Sequence, residues 1–134
     1  MATESVDRRK HGRAYFSIED NIKGLFIFVR ETEIFFSASI LNVSRGGLHF
    51  SLNKEMRIFP KIGDKLRLVK LEGEAALDIE LNIELEVQWI LDHETLDHIG
   101  CGCEFIYVSK AGQDRLSDFI DSQYVGRQVP KPRP

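Results

Sequence analysis

The run from Ile79 to Leu91 constrains the fold more than any other part of the chain. Ile79, Leu81, Ile83, Leu85, Val87, Trp89 and Leu91 occupy alternate positions, and Glu80, Asn82, Glu84, Glu86 and Gln88 fall between them. A period this close to two describes a strand with one buried and one wet face. The run is more than twice the usual strand length of about 5–6 residues, so it is expected to bend strongly around a barrel. The alternation assigns Trp89 and Leu91 to the buried face. It leaves the row of Glu80, Glu84 and Glu86 as a solvated face rather than a set of catalytic carboxylates.

The rest of the chain agrees with an all-β reading. Gly24 to Val29 places Leu25, Ile27 and Val29 on one side and Phe26 and Phe28 on the other. Ile34 to Val43 is rich in β-branched and aromatic residues, which favours a second strand. Ser44-Arg45-Gly46-Gly47 interrupts it, and Leu48 to Leu52 returns. Pro60 and Gly63-Asp64 precede a strand over Lys65 to Leu71, and Glu72-Gly73-Glu74 turns into the long run. His98 to Val108 is the last strand, with Ile99, Cys101, Cys103 and Phe105 on one side and Gly100, Gly102 and Glu104 on the other. The period then changes. Leu116, Phe119, Ile120 and Tyr124 fall at helical spacing behind Ser109, a suitable N-cap. The expected class is all-β with one terminal helix: six antiparallel strands forming a barrel or sandwich, with the helix at an open end. The expected divisions are a flexible basic arm over 1–13, the barrel and helix over 14–124, and a flexible tail over 125–134 with Pro130, Pro132 and Pro134.

At 134 residues the chain suits a single domain with its own core. Its net charge of -3 argues against a general binder of nucleic-acid polymers, so any phosphate ligand must be met by a local basic cluster. Cys101 and Cys103 are too close in sequence to bridge each other. Two cysteines and no apolar leader imply a reducing, cytoplasmic setting. No apolar run approaches the ~20 residues of a membrane span. Cys101, Cys103, His93 and His98 lack the spacing of a metal site, and the two cysteines fall on the buried face as small apolar residues do. No metal, no cofactor and no nucleophile elbow is expected, and the chain is not expected to be an enzyme.

Two short motifs carry the chemistry. Arg9-x-x-x-Arg13, with Arg8 directly before it, lies on the arm; Asn42-x-Ser44-x-x-Gly47, which includes Gly46, lies at a strand end. Guanidinium forks make paired, charge-assisted bonds to phosphates, match the O6/N7 edge of guanine and stack on purine faces. Asn42 and Ser44 offer short polar groups, while Gly46 and Gly47 permit close approach of a ligand to the backbone. Arg45 reads as a solvent-facing turn residue. In this order and context the motifs resemble those of the PilZ domain family, over roughly Asp7 to Ser122. The resemblance implies a six-stranded barrel that binds cyclic di-GMP, with Arg8, Arg9, Arg13, Asn42, Ser44, Gly46 and Gly47 as the ligand residues. It also implies an arm that orders on binding and relays the signal to an effector protein, acting as a monomer or homodimer. The sequence keeps Asn where Asp is common in the family, which removes a charge that would otherwise accept from guanine N1 and N2. The alternative is a PilZ-like protein-interaction adaptor without nucleotide binding.

Overall fold

The computed structural model describes residues 13–29, 33–56, 59–74 and 76–128. Arg8, Arg9, the rest of the arm before Arg13, and the tail beyond Gln128 lie outside the described residues. Among the described residues there are seven strands and one α-helix: β1 (Arg13–Tyr15), β2 (Lys23–Phe28), β3 (Ile34–Ser44), β4 (Gly47–Asn53), β5 (Lys65–Glu72), β6 (Asp78–Leu91), β7 (His98–Tyr107) and α1 (Lys110–Gln128). All strand pairings are antiparallel. The order β3-β2-β5-β6-β7-β4 closes through a β3–β4 pairing, which makes the expected six-stranded barrel. β1 is an addition. It attaches to the end of β3, where Arg13 faces Ser44 and Tyr15 faces Asn42. Arg13, expected at the end of the arm, therefore opens a strand.

The barrel closes around aromatic and branched side chains. Phe26 stacks on Phe36 with ring centroids 5.2 Å apart and meets Phe50 at 4.7 Å. Leu48, Leu66, Leu68, Leu71, Ile83 and Leu85 are fully buried around them. Burying each such side chain contributes about 1.5–3 kcal/mol, which is why the period-two pattern decides which face turns inward. Cys101 and Cys103 are buried free thiols.

Register shifts occur in several of the strand pairings, and two of them decide which side chains reach the outer face. In β3, Ile40 pairs with Phe50 but Asn42 pairs with His49, so Leu41 is an extra residue. In β6, Val87 pairs with Cys103 but Trp89 pairs with Gly102, so Gln88 is extra. An extra residue reverses which side chains face out. Trp89 and Leu91, expected in the core, are consequently 40% and 54% exposed, while Ile90 turns inward toward the buried cluster.

α1 begins where Ser109 Oγ accepts the backbone N–H of Gly112 at 3.0 Å. Leu116, Phe119 and Ile120 form its buried stripe, as their spacing requires. The helix packs against β6 and β1, and Phe119 meets Phe16 at 5.9 Å. It continues to Gln128, past the expected end at Tyr124. Arg45 is not simply a solvent-facing turn residue: it donates to Ser117 at 3.0 Å and reaches Asp121 at 3.3 Å, tying the β3–β4 turn to the helix. Among the described residues no helix is long and apolar enough to cross a membrane.

Candidate ligand site on the outer barrel face

The bulge at Leu41 turns Asn42 away from the core, onto the outer face beside β1. Arg13 then reaches both motif side chains. Its Nη1 donates to Asn42 Oδ1, and its Nη2 donates to Ser44 Oγ at 3.1 Å. Ser44 Oγ also accepts the Gly46 N–H at 3.2 Å and donates to the Gly47 carbonyl at 3.3 Å, which shapes the turn. Gly47 sits tightly against β7, because a Cβ there would lie 2.3 Å from the Cys103 carbonyl oxygen. A Cβ on Gly46 would meet nothing within 4 Å. Of the seven residues expected at the site, the structure brings together Arg13, Asn42, Ser44, Gly46 and Gly47. Arg8 and Arg9 lie outside the described residues.

The site extends further than the two motifs. Asn42 faces His49, His49 faces Gly102, and Gly102 faces Trp89, so one register row crosses β3, β4, β7 and β6 on the outer face. Asn42 Nδ2 lies 2.9 Å from His49 Nδ1. The imidazole meets the Trp89 ring edge-on at 4.7 Å. The indole lies directly over Gly102, where a Cβ would fall 2.1 Å from it. Tyr15 continues the row on β1, opposite Asn42, and is 60% exposed.

The groups along this row have the chemistry to meet a flat, polar, anionic molecule. Arg13 supplies a charged fork, Asn42 and Ser44 supply directional polar atoms, and Trp89 supplies a half-exposed π face. Asn42 is only 7% exposed, and its amide is held between Arg13 and His49. Burial, and next the positive charge of Arg13, hold the His49 pKa below its ordinary 6.5. His49 and Trp89 were not among the expected site residues. The signal that points to them is the pair of outward glycines, Gly100 and Gly102. A strand that leaves its outer face bare makes room for a large ring from its neighbour.

A cleft of about 360 Å³ lined by Lys54, Phe59, Pro60, Ile90, Asp92 and Ile99 contains none of these residues. Its lysine is engaged by Asp92 at 3.1 Å and the His93 carbonyl at 2.7 Å. Among the described residues no group of three or more His, Cys, Asp or Glu side chains could hold a metal ion.

Comparison with known proteins agrees with this architecture. The sequence matches the PilZ domain model over residues 7–122. No curated protein sequence matches it. Among solved structures, the fold is similar to the Bacillus subtilis inhibitor of motility MotI/DgrA, with a TM-score of 0.62 and 17% identity over 87% of this chain and 51% of that one. It is similar to K. pneumoniae MrkH in complex with c-di-GMP, with a TM-score of 0.63 and 13% identity over 87% of this chain and 52% of that one. The PilZ domain of YcgR from Escherichia coli with c-di-GMP gives a TM-score of 0.62 and 12% identity over 87% of this chain and 91% of that domain. The chain thus spans about half the length of MotI and MrkH.

Proposed function

The chain belongs to the PilZ domain family, and on that premise we propose that it is a receptor for cyclic di-GMP rather than a catalyst. The observation that carries this reading is the convergence of Arg13 on Asn42 and Ser44, which joins the two sequence motifs into one surface. Two similar structures, of MrkH and of YcgR, were solved with c-di-GMP, which supports the same ligand here.

In this reading Arg8, Arg9 and Arg13 grip phosphate and guanine, while Asn42, Ser44, Gly46 and Gly47 hold the other base against the barrel. Hydrogen bonds to charged groups contribute about 1.5–3 kcal/mol each. Several of them plus stacking, less the ordering of the arm, leave about 8 kcal/mol, a micromolar affinity. The arm orders on the ligand, and the altered surface is what a partner protein reads in the cytoplasm. No resident cofactor enters the reading.

The test is calorimetric titration with cyclic di-GMP, with GTP and cyclic GMP as controls, on the wild type and on Arg9→Ala and Arg13→Ala. Selective binding lost in both variants is expected. A folded wild type that gives no binding overturns the receptor reading and turns the search toward a protein-interaction adaptor. Unchanged affinity in either variant overturns the role of the arm.

A further inference from the structure

We infer that His49 is a positioning residue of the ligand site, whose unprotonated Nδ1 fixes the orientation of the Asn42 amide, so that binding requires neutral His49. The inference rests on the receptor reading above. It begins with the hydrogen-bond capacities of three side chains. A guanidinium has no acceptor, so the Asn42 atom that faces Arg13 must be the carbonyl Oδ1. The Asn42 NH₂ therefore faces His49 and donates to Nδ1 at 2.9 Å. That nitrogen carries a lone pair, and the ring proton sits on Nε2.

A proton on Nδ1 cannot coexist with this arrangement. Two donors would face each other at 2.9 Å. Turning the amide over satisfies the imidazolium but points the NH₂ at the guanidinium of Arg13. In either orientation one of the two contacts is lost, and Asn42 stands between two cations. With Asp in place of Asn42, as is common in the family, a carboxylate would accept from both neighbours, and protonation of His49 would strengthen the triad. The sensitivity is therefore specific to the combination of Asn42 with His49.

The surroundings favour the neutral ring. Arg13 approaches from β1 and opposes a second positive charge. β3 presents Asn42, β6 presents Trp89 edge-on, and β7 presents Gly102, none of which titrates near neutrality. Tyr15 of β1 lies on the far side of Asn42 in the register. No carboxylate among the described residues is part of these contacts.

The test is titration with cyclic di-GMP between about pH 5 and about pH 8, the range in which imidazole changes charge. Wild type, His49→Asn and His49→Ala are compared, each checked for a dispersed amide spectrum. In the wild type, affinity is expected to be constant near pH 8 and to fall about tenfold per pH unit below the pKa of His49, as the exclusion of one proton requires. His49→Asn places a non-titrating oxygen near the position of Nδ1, so it keeps the binding and loses the pH dependence. His49→Ala binds more weakly at high pH, and its profile is flat. A flat wild-type profile, a wild type that tightens on acidification because the imidazolium meets phosphate, or a His49→Asn profile like that of the wild type overturns the inference. The side-chain amide resonance of Asn42 in the ligand-free protein gives a second readout and should titrate in step with the His49 ring. Absence of binding at every pH overturns the receptor reading, and a titrating amide would still show the switch. A flat amide with binding intact overturns the positioning role alone.

Discussion

Replacing Gly47 by alanine tests how the β3–β4 turn is held against the barrel. The added Cβ would lie 2.3 Å from the Cys103 carbonyl oxygen, whereas non-bonded carbon and oxygen rarely approach closer than about 3 Å, so β4 and β7 must separate locally by about 1 Å. The obstructing atom is backbone in a closed sheet, and no side-chain rotation relieves it. The neighbouring bond from the Phe105 N–H to the Gly46 carbonyl, now 2.8 Å, would stretch beyond useful length. Loss of that bond costs about 1 kcal/mol, and overpacking costs about 1–3 kcal/mol. The stiffer unfolded chain returns about 0.4–1 kcal/mol. The net loss is about 2–3 kcal/mol, which for a domain of this size lowers Tm by about 10 °C. Gly46→Ala is the control, because its Cβ meets nothing within 4 Å and its stability should stay within about 0.5 kcal/mol of wild type. Thermal and urea denaturation followed by circular dichroism measure both. A Gly47→Ala protein that melts with the wild type, or a Gly46→Ala protein that falls equally far, refutes the reasoning. Ligand titration of the stable Gly46→Ala variant then shows whether cyclic di-GMP lies against that open position: weakened binding without lost stability is the expected result.

Trp89→Ala should weaken cyclic di-GMP by about 1–3 kcal/mol, the usual worth of one base stacked on an aromatic ring, while the melting temperature moves little because the indole is already 40% exposed. Unchanged affinity by calorimetry would remove Trp89 from the site. Burial pushes the Cys101 thiol up to about 12 and, with the charge of Cys101 nearby, raises Cys103 as well. Both should therefore resist a thiol-specific chromogenic disulfide at pH 8 until denaturant is added, and rapid labelling of the native protein would contradict this. The pH range of full stability follows from the same groups. The unfolded His49 takes up a proton below 6.5 before the folded one does, and unfolded thiols ionise above 9.0 before the folded ones do. Urea midpoints should decline as pH falls below the first value and as it rises above the second; a midpoint that rises in either direction would show that other groups dominate. Ser109→Ala should cost about 1 kcal/mol through loss of the cap on α1, visible as a lower urea midpoint with an unchanged m-value.

The barrel was legible because most of its strands obey one rule over many residues. Ile79 to Val87 alternates without interruption, and Leu116, Phe119 and Ile120 announce a helix by their change of period. β1 was not legible, since three residues beside a basic arm are too few to show a period. Trp89 was misassigned for a related reason. The bulge at Gln88 is a property of pairing with β7, and nothing local in the sequence marks where a strand gains an extra residue. The two motifs identified Arg13, Asn42 and Ser44 by residue type, whereas His49 joins them only through its cross-strand position opposite Asn42. The role of Arg45 was missed because Ser117 and Asp121 are more than seventy positions away in the chain.

The two bulges bound the outward row at its ends, one just before Asn42 and the other just before Trp89. The surface is therefore specified by where the strand pairing slips as well as by residue type. Deleting Leu41 alone would place Asn42 directly after Ile40, so Asn42 would still face out and Val43 in, and only the local bend of the bulge would be lost. Deleting Gln88 would likewise leave Trp89 outward and Ile90 inward, because Trp89 would then follow the buried Val87 directly. A descendant of this chain could exchange many of its core side chains and keep the site. It could not keep Leu41 and Gln88 as regularly paired strand residues, because Asn42 would then fall in phase with Ile40 and Trp89 with Val87, turning the site inside out.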